Sequence, residues 1–297
     1  MEHSLYTLDA DCLRHEDGAK RAAALEAGSV LYFPEYSLSL SSSEKSELLT
    51  PDILDGRHKN VSYNSERKRL GGFDRKHMSP EQAARLQAFM QRFADFAHDL
   101  VADALPDYLH ALRWGRTSFR PARIQGRTSS ERKDDTRLHV DAFPATPVNG
   151  LRILRVFCNI NPENLPRVWH LGEPFAEVLA EFSERIPSYS PLRARMLHLV
   201  RATKTRRSAY DHYMLHLHDA MKLDNGYQAR VRKQRIEFPA QSTWIVFTDS
   251  VSHAALDGQH LLEQTFYLPV EAMVNPEMSP LYQWQALRSE VKGTRVC

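Results

Sequence analysis

The chain has 297 residues, 42% of them hydrophobic, and a formal net charge of +2. This apolar fraction is enough for a sizeable core and excludes a disordered chain. The small net charge argues against the global basic field of many nucleic-acid-binding proteins, so we expect no nucleic-acid partner. Three scattered cysteines, Cys12, Cys158 and Cys297, exclude a disulfide framework and a CxxC metal site.

The N-terminal sequence predicts a protein without a secretory leader. Residues 1–11 carry neither a basic n-region nor an apolar h-region. No apolar run approaches the roughly 18 residues that a membrane span requires. We therefore expect a cytoplasmic protein, in a compartment that suits a site needing a reduced metal ion.

Residues 1–113 are predicted to be mostly helical and to pack on the region that follows. Ser79 is expected to cap a long helix, because Pro80 suits the first helical position and Gln82 can complete a capping box. Apolar residues at helical spacing then continue to just before Pro106.

Residues 114–270 change to short segments of alternating apolar and polar residues. This alternation indicates strands, and many short strands with Gly and Pro turns indicate a sandwich or barrel. A helical insertion at 173–223 interrupts them, and 271–297 form a C-terminal tail of one domain, 1–297. The predicted strands lie near 115–124, 136–143, 151–160, 166–171, 226–239, 243–248, 251–256 and 261–268.

The pair His139-x-Asp141 lies on one predicted strand, and His253 lies on another near the end of the strand region. Residues two apart on a strand face the same side, so His139 and Asp141 point to one place. An HxD pair alone is a weak signal, because polar strand residues are common. An early HxD followed by a late His is the order in which a double-stranded β-helix brings three ligands together. Two imidazoles and one carboxylate bind non-haem Fe(II) and leave positions open for substrate and oxygen.

Three longer segments carry a more specific resemblance. They are Leu138-His-Val-Asp-Ala-Phe-Pro144, Arg152-Ile-Leu-Arg-Val-Phe-Cys-Asn-Ile-Asn-Pro162 and Trp244-Ile-Val-Phe-Thr-Asp-Ser-Val-Ser-His253. These segments resemble the bacterial 3-deoxy-D-manno-oct-2-ulosonic acid (Kdo) 3-hydroxylase family of Fe(II)/2-oxoglutarate-dependent dioxygenases. The resemblance extends over most of the chain. It implies an α+β fold with a double-stranded β-helix (jelly-roll, cupin-like) core, an N-terminal helical region and a helical insertion.

The resemblance implies a hydroxylase that adds a 3-hydroxyl to the Kdo of a Kdo–lipid A glycolipid and decarboxylates 2-oxoglutarate to succinate. His139, Asp141 and His253 would be its catalytic metal ligands. Fe(II), 2-oxoglutarate and O2 would be its cofactors, with ascorbate as an activator. Two alternatives stay open: the same enzyme class acting on a protein or nucleic-acid substrate, and a non-enzymatic β-barrel that only binds.

The 2-oxoglutarate clamp departs from a common pattern of this superfamily, in which an Arg follows the distal His on the next strand. Here positions 263–265 are Glu, Gln and Thr. Because a buried, unpaired carboxylate is costly, another cation must face it. We predict Arg155, whose guanidinium can grip a carboxylate in bidentate fashion. Arg127 and Arg137 compete with it, and the candidates for added hydrogen bonds are Asn159, Gln264 and Thr265.

Two basic segments, 57–76 and 201–207, are candidates for contact with an anionic glycolipid. Together they would hold the protein against an anionic membrane face, at the inner side of the inner membrane. The simpler interpretation of each segment is a solvated surface. The sequence leaves a homo-oligomer open.

Other polar residues near these motifs have simpler structural interpretations. His212 and His216 share a helix face. The HExxH zinc motif is not met, because Tyr213 stands at the glutamate position. A structural cluster, or a substrate contact, is therefore favoured there. Asp249 and Asp257 either support His253 or shape turns.

Overall fold

The structure, a computed structural model, describes residues 4–15, 17–126 and 129–293. Its strands are β1 (Leu5–Thr7), β2 (Val30–Phe33), β3 (Val61–Asn64), β4 (Arg69–Gly71), β5 (Arg113–Arg120), β6 (Arg152–Asn159), β7 (Arg167–Leu171), β8 (Gln234–Phe238), β9 (Ser242–Phe247), β10 (His253–Asp257) and β11 (Leu261–Leu268). Its α-helices are α1 (Gly18–Glu26), α2 (Ser42–Leu48), α3 (Pro80–Ala104), α4 (Phe175–Phe182), α5 (Pro191–Leu199), α6 (Ala209–Leu223), α7 (Asn225–Arg230) and α8 (Pro280–Gly293).

The strands form two sheets that face each other. The larger sheet has the order β1-β2-β9-β6-β11-β5-β3-β4, and the smaller one has the order β10-β7-β8. A core rich in aromatic side chains joins them, with Phe157 and Trp244 from the larger sheet against Trp169 and Phe238 from the smaller one. This is the two-sheet arrangement of a jelly roll, and the expected α+β class is confirmed.

Strand β6 is buried on both of its faces. Side chains alternate along it, so Leu154, Val156 and Cys158 join the core against α3. Phe157 joins the core between the sheets instead, and Arg155 lies on that same inner face. The alternation therefore places Arg155 inside the jelly roll.

Helix α3 covers the outer face of the larger sheet. Its N-terminus is the predicted one, since Ser79 accepts a hydrogen bond from the Gln82 N–H and the Gln82 side chain caps in return. Phe89 and Phe93 lie on its apolar stripe and are fully buried. They belong to the hydrophobic core between α3 and the outer face of the larger sheet. The capping residues and the apolar periodicity thus predicted the position of this helix correctly.

The predicted strand over 136–143 is wrong in extent. Only His139 forms a β-bridge, to His253. The Asp141 N–H donates instead to the carbonyl of Thr248, just after β9. The segment therefore leaves its partner β10 within two residues and crosses the end of the other sheet.

Two further boundaries differ from the sequence prediction. The predicted strand over 226–239 begins as α7, because the Asp224 side chain accepts a hydrogen bond from the Tyr227 N–H and caps that helix. The segment left as a C-terminal tail contains α8, whose Trp284 is buried. Trp284 packs in one core with helices α4 and α6 of the insertion and with Leu138 and Val140, the neighbours of His139.

Candidate metal centre

His139 and His253 are paired through their backbones. The His139 N–H donates to the His253 carbonyl at 3.0 Å, and the His253 N–H donates to the His139 carbonyl at 2.9 Å. Directly opposed residues on adjacent strands project their side chains to the same side. The two imidazole rings accordingly lie side by side, with centroids 4.6 Å apart.

Each imidazole is oriented by a backbone carbonyl two residues earlier in the chain. His139 Nδ1 lies 2.8 Å from the Arg137 carbonyl oxygen, and His253 Nδ1 lies 2.8 Å from that of Val251. A carbonyl oxygen only accepts, so each Nδ1 donates its proton there and Nε2 keeps a free lone pair. This orientation is typical of metal-binding histidines.

Asp141 completes the group. One carboxylate oxygen, Oδ1, lies 3.7 Å from His139 Nε2. One ligand atom from each of His139, Asp141 and His253 lies within 4.8 Å of the others, and the described residues hold no second group of this kind. The HxD…H pattern therefore converges as the sequence predicted, and two imidazoles with one carboxylate are a donor set suited to Fe(II).

The charges of the group favour metal binding. Burial lowers the pKa of both His139 and His253, which keeps their imidazoles neutral. Burial alone would raise the pKa of Asp141, but the positive charge of Arg155 brings it well below its usual range. Asp141 Oδ2 is buried and has no hydrogen-bond partner among the described residues. A neutral imidazole pair and an ionised carboxylate fit a divalent cation.

Comparison with known proteins identifies the family. The model of the 3-deoxy-D-manno-oct-2-ulosonic acid (Kdo) hydroxylase family matches residues 10–290. The chain belongs to the Kdo hydroxylase family. Its resemblance to that family, and the class of Fe(II)/2-oxoglutarate-dependent dioxygenases, are thereby confirmed. A non-enzymatic module is not supported. A search of the curated proteins found no match.

Solved structures of the Kdo hydroxylase KdoO are similar over nearly the whole chain. The complex with α-ketoglutarate and Fe(III) is 42% identical, covers 97% of this chain and 96% of its own, and has a TM-score of 0.90. The cobalt(II) complex is 43% identical, covers 96% of each chain, and has a TM-score of 0.91. The complex with succinate and Fe(III) is 42% identical over 96% of each chain, with a TM-score of 0.90.

In this Kdo hydroxylase, Arg155 stands directly beside the metal-binding group. Its Nη1 lies 3.3 Å from Asp141 Oδ2 and 3.2 Å from Glu263 Oε1, and its side chain is only 10% exposed. Its Nε is buried without a hydrogen-bond partner among the described residues. The guanidinium therefore keeps donor capacity for a further anion.

A second arginine lies on the other side of Glu263. Arg120 Nη2 donates to Glu263 Oε2 at 3.1 Å, and Arg120 Nη1 lies 3.6 Å from Asp135. Charges of alternating sign thus run from Asp141 through Arg155, Glu263 and Arg120 to Asp135. Sequence reasoning missed the roles of Arg120 and Glu263.

Gln264 lies on the wrong face of β11 for the predicted cosubstrate contact. Leu262 and Phe266, at even spacing from it, pack in the core against α3. Gln264 accepts from the Thr117 hydroxyl at 2.6 Å and donates to the Thr265 carbonyl at 2.8 Å. The strand alternation places Glu263 and Thr265, and not Gln264, on the face of the site.

The side chains of Asn159 and Arg137 bond to partners outside the metal-binding group. Both donor bonds of the Asn159 amide go to backbone carbonyls, those of Leu165 and Phe238, each at 3.0 Å, so it shapes the turn after β6. Arg137 donates to the Lys222 carbonyl and to the Asn225 side chain. Arg127 lies outside the described residues.

The remaining residues singled out in the sequence have structural partners. Asp249 binds Arg152 with both oxygens, at 2.8 and 3.1 Å, and so anchors the turn before His253. Asp257 accepts from Gln125. His212 bonds to the Pro187 carbonyl at 2.7 Å, away from the metal-binding group.

Proposed function

We propose that the chain is a Kdo 3-hydroxylase that acts on the Kdo of a Kdo–lipid A glycolipid, with Fe(II), 2-oxoglutarate and O2. His139, Asp141 and His253 hold the iron from one side. The observation that carries the proposal is the convergence of these three side chains, with one ligand atom of each within 4.8 Å of the others, in a chain of the Kdo hydroxylase family. The bound iron and 2-oxoglutarate supply the oxidising chemistry and yield succinate.

Arg155 is proposed as the residue that grips the distal carboxylate of 2-oxoglutarate. Once a cation takes the charge of Asp141, Glu263 is the remaining ion-pair partner of Arg155 among the described residues, and the guanidinium has donors left for a further carboxylate. The unsatisfied Nε supports this role. The related KdoO structure that contains α-ketoglutarate supports the presence of a cosubstrate site in the family.

The sugar acid is proposed to meet a group of cations at the mouth of the site. Partial burial and then the positive charges of Arg116 and Arg67 lower the pKa of Lys204. Basic side chains from the strand β5, the β3–β4 hairpin and the insertion thus lie in one region. An anionic sugar, with phosphates on its lipid anchor, suits such a region.

The proposed setting is the inner face of the inner membrane, from the cytoplasm. Segments 57–76 and 201–207 are proposed to attract the anionic surface there. None of the helices in the described part of the chain is long and apolar enough to cross a bilayer. Ascorbate is proposed as an activator that keeps the iron reduced.

The test is hydroxylation of a purified substrate. Protein loaded with Fe(II), given 2-oxoglutarate, ascorbate and Kdo–lipid A, should add one oxygen atom per Kdo, seen by mass spectrometry. Asp141→Ala is the matched inactive control. Succinate formed while the glycolipid stays unchanged would instead point to another acceptor, such as a protein or nucleic acid.

A further inference from the structure

The four most exposed large hydrophobic side chains among the described residues cluster on α5. Leu192, Met196 and Leu199, with Val200 after the helix end, are 58–80% exposed, whereas the other exposed large hydrophobics are 36–44% exposed. An isolated exposed leucine needs no explanation, but such a cluster marks an interaction surface.

The helix geometry gathers these side chains on one stripe. Leu192, Met196 and Leu199 recur at i, i+4 and i+7, which is one face of a helix. Ala194 is buried on the opposite face and ties α5 to the protein. Helix α5 therefore lies on the surface with its apolar stripe turned outward.

A basic rim surrounds this stripe. Residues 191–207 contain six Lys and Arg and no Asp or Glu. Five of the six cations are exposed: Arg193, Arg195, Arg201, Lys204 and Arg206. An apolar stripe bordered by cations is the pattern of a helix that lies in the interface of an anionic bilayer.

The basic rim is joined directly to the metal-binding loop. The Lys204 N–H donates to the Ala145 carbonyl at 3.0 Å, and the Arg207 guanidinium donates to the Pro144 carbonyl at 2.8 Å. These carbonyls follow Asp141 within four residues. A bilayer that holds α5 therefore also holds the loop that carries Asp141.

We propose that α5 is a membrane-docking helix, whose Leu192, Met196 and Leu199 enter the interface of an anionic lipid bilayer while its arginines contact the headgroups. The docking holds the mouth of the site at the depth of a glycolipid sugar. That consequence rests on the proposed function, whereas the docking itself does not.

The test is flotation of the full-length protein with vesicles of phosphatidylethanolamine and phosphatidylglycerol. Wild-type protein floats with them and not with phosphatidylcholine vesicles, and added salt weakens the binding. Leu192→Ser/Met196→Ser/Leu199→Ser lowers the bound fraction about tenfold or more, because apolar burial drives insertion. Arg195→Glu/Arg201→Glu also lowers it and reduces its dependence on salt.

The matched controls change the same chemistry elsewhere. Leu109→Ser/Val274→Ser/Tyr282→Ser removes other exposed apolar side chains, and Lys20→Glu/Lys45→Glu makes the same change in charge. Both bind vesicles as the wild type does, and all variants keep the wild-type melting temperature. Vesicle binding that survives the triple change on α5 overturns the proposal.

Two further outcomes separate this proposal from others. The patch could instead bind a second copy of the chain. Ultracentrifugation would then find a wild-type dimer that the triple change on α5 dissociates, and the wild type would not bind vesicles. That result would overturn the proposal. If vesicles bind through α5 but Kdo–lipid A is not hydroxylated, the docking stands and the proposed function fails. If the glycolipid is hydroxylated without any vesicle binding, the docking fails alone.

Discussion

Glu263 Oε1 lies 3.2 Å from Arg155 Nη1, inside the jelly roll and beside the metal-binding group. A common superfamily pattern has an arginine on this strand, whereas here β11 carries Glu263 and β6 carries Arg155, as the sequence already indicated. Arg155 also lies 3.3 Å from Asp141. Glu263 and Asp141 thus hold the Arg155 guanidinium between them.

Arg155→Ala should weaken 2-oxoglutarate binding by about a hundredfold or more, because loss of a buried carboxylate partner costs roughly 2–5 kcal/mol. Arg155→Lys should recover only part of this, since an ammonium cannot bind in bidentate fashion. Titration calorimetry on cobalt-loaded protein measures the dissociation constant. Arg137→Ala is the control, because Arg137 bonds to Lys222 and Asn225 instead. Equal losses in both alanine variants would contradict the assignment.

His139→Ala, Asp141→Ala and His253→Ala should each lower metal affinity by more than about a hundredfold. Loss of a residue that only supports a ligand already costs about 10–100-fold, and these residues supply the ligand atoms themselves. Calorimetry with cobalt(II) measures the affinity, and circular dichroism checks the fold. His216→Ala, on α6, should bind as the wild type does. An unchanged affinity in Asp141→Ala would remove the carboxylate from the site.

Asp249→Ala should lower the free energy of unfolding by roughly 3–5 kcal/mol, because it leaves the buried Arg152 guanidinium without its carboxylate partner. Its partner Arg152 is fully buried, and both hydrogen bonds between the two are lost. Urea unfolding measures the loss. Asp249→Leu/Arg152→Met removes both charges and should recover most of it. A double variant no more stable than the single one would mean that the pair is not the cause.

Stability should fall as the pH drops below about 6.5, the ordinary pKa of histidine. Burial lowers the pKa of His260. Below its ordinary pKa, this histidine is therefore protonated in the unfolded chain while it is still neutral in the folded one, which favours unfolding. His260→Asn tolerates the left-handed backbone there (φ 55°) and should make the slope of stability against pH shallower. Unfolding curves between pH 5 and 7 test this. His110→Asn, at an exposed histidine, is the matched control, and an equal change there would contradict the role of burial.

Local signals in the sequence predicted the parts of the fold that depend on local physics. The long helix α3 follows from the capping box at Ser79 and the spacing of its apolar residues. The spacing of His139 and Asp141 predicted a shared direction, which the structure bears out. These features need only the periodicity of a helix or an extended chain.

The parts that were missed depend on tertiary neighbours. Alternation with Leu262 and Phe266 already separated Glu263 from Gln264, but it did not say which face met the site. That choice depends on α3, which covers the face of Gln264. Arg120 gives no local signal, because its role depends on Glu263 across the sheet. The exposed stripe of α5 equally required knowledge of which face was buried.

The backbone pairing of His139 with His253 makes the metal-binding group a product of complete folding. The two residues lie far apart in the chain and meet through two reciprocal hydrogen bonds. Contacts of such long sequence separation form late in folding, because closing the intervening loop costs conformational entropy. A metal ion therefore encounters all three side chains only in the native state. By mass action, its concentration then raises the apparent stability of this protein, so the supply of metal affects both the fraction of molecules that are loaded and the fraction that are folded.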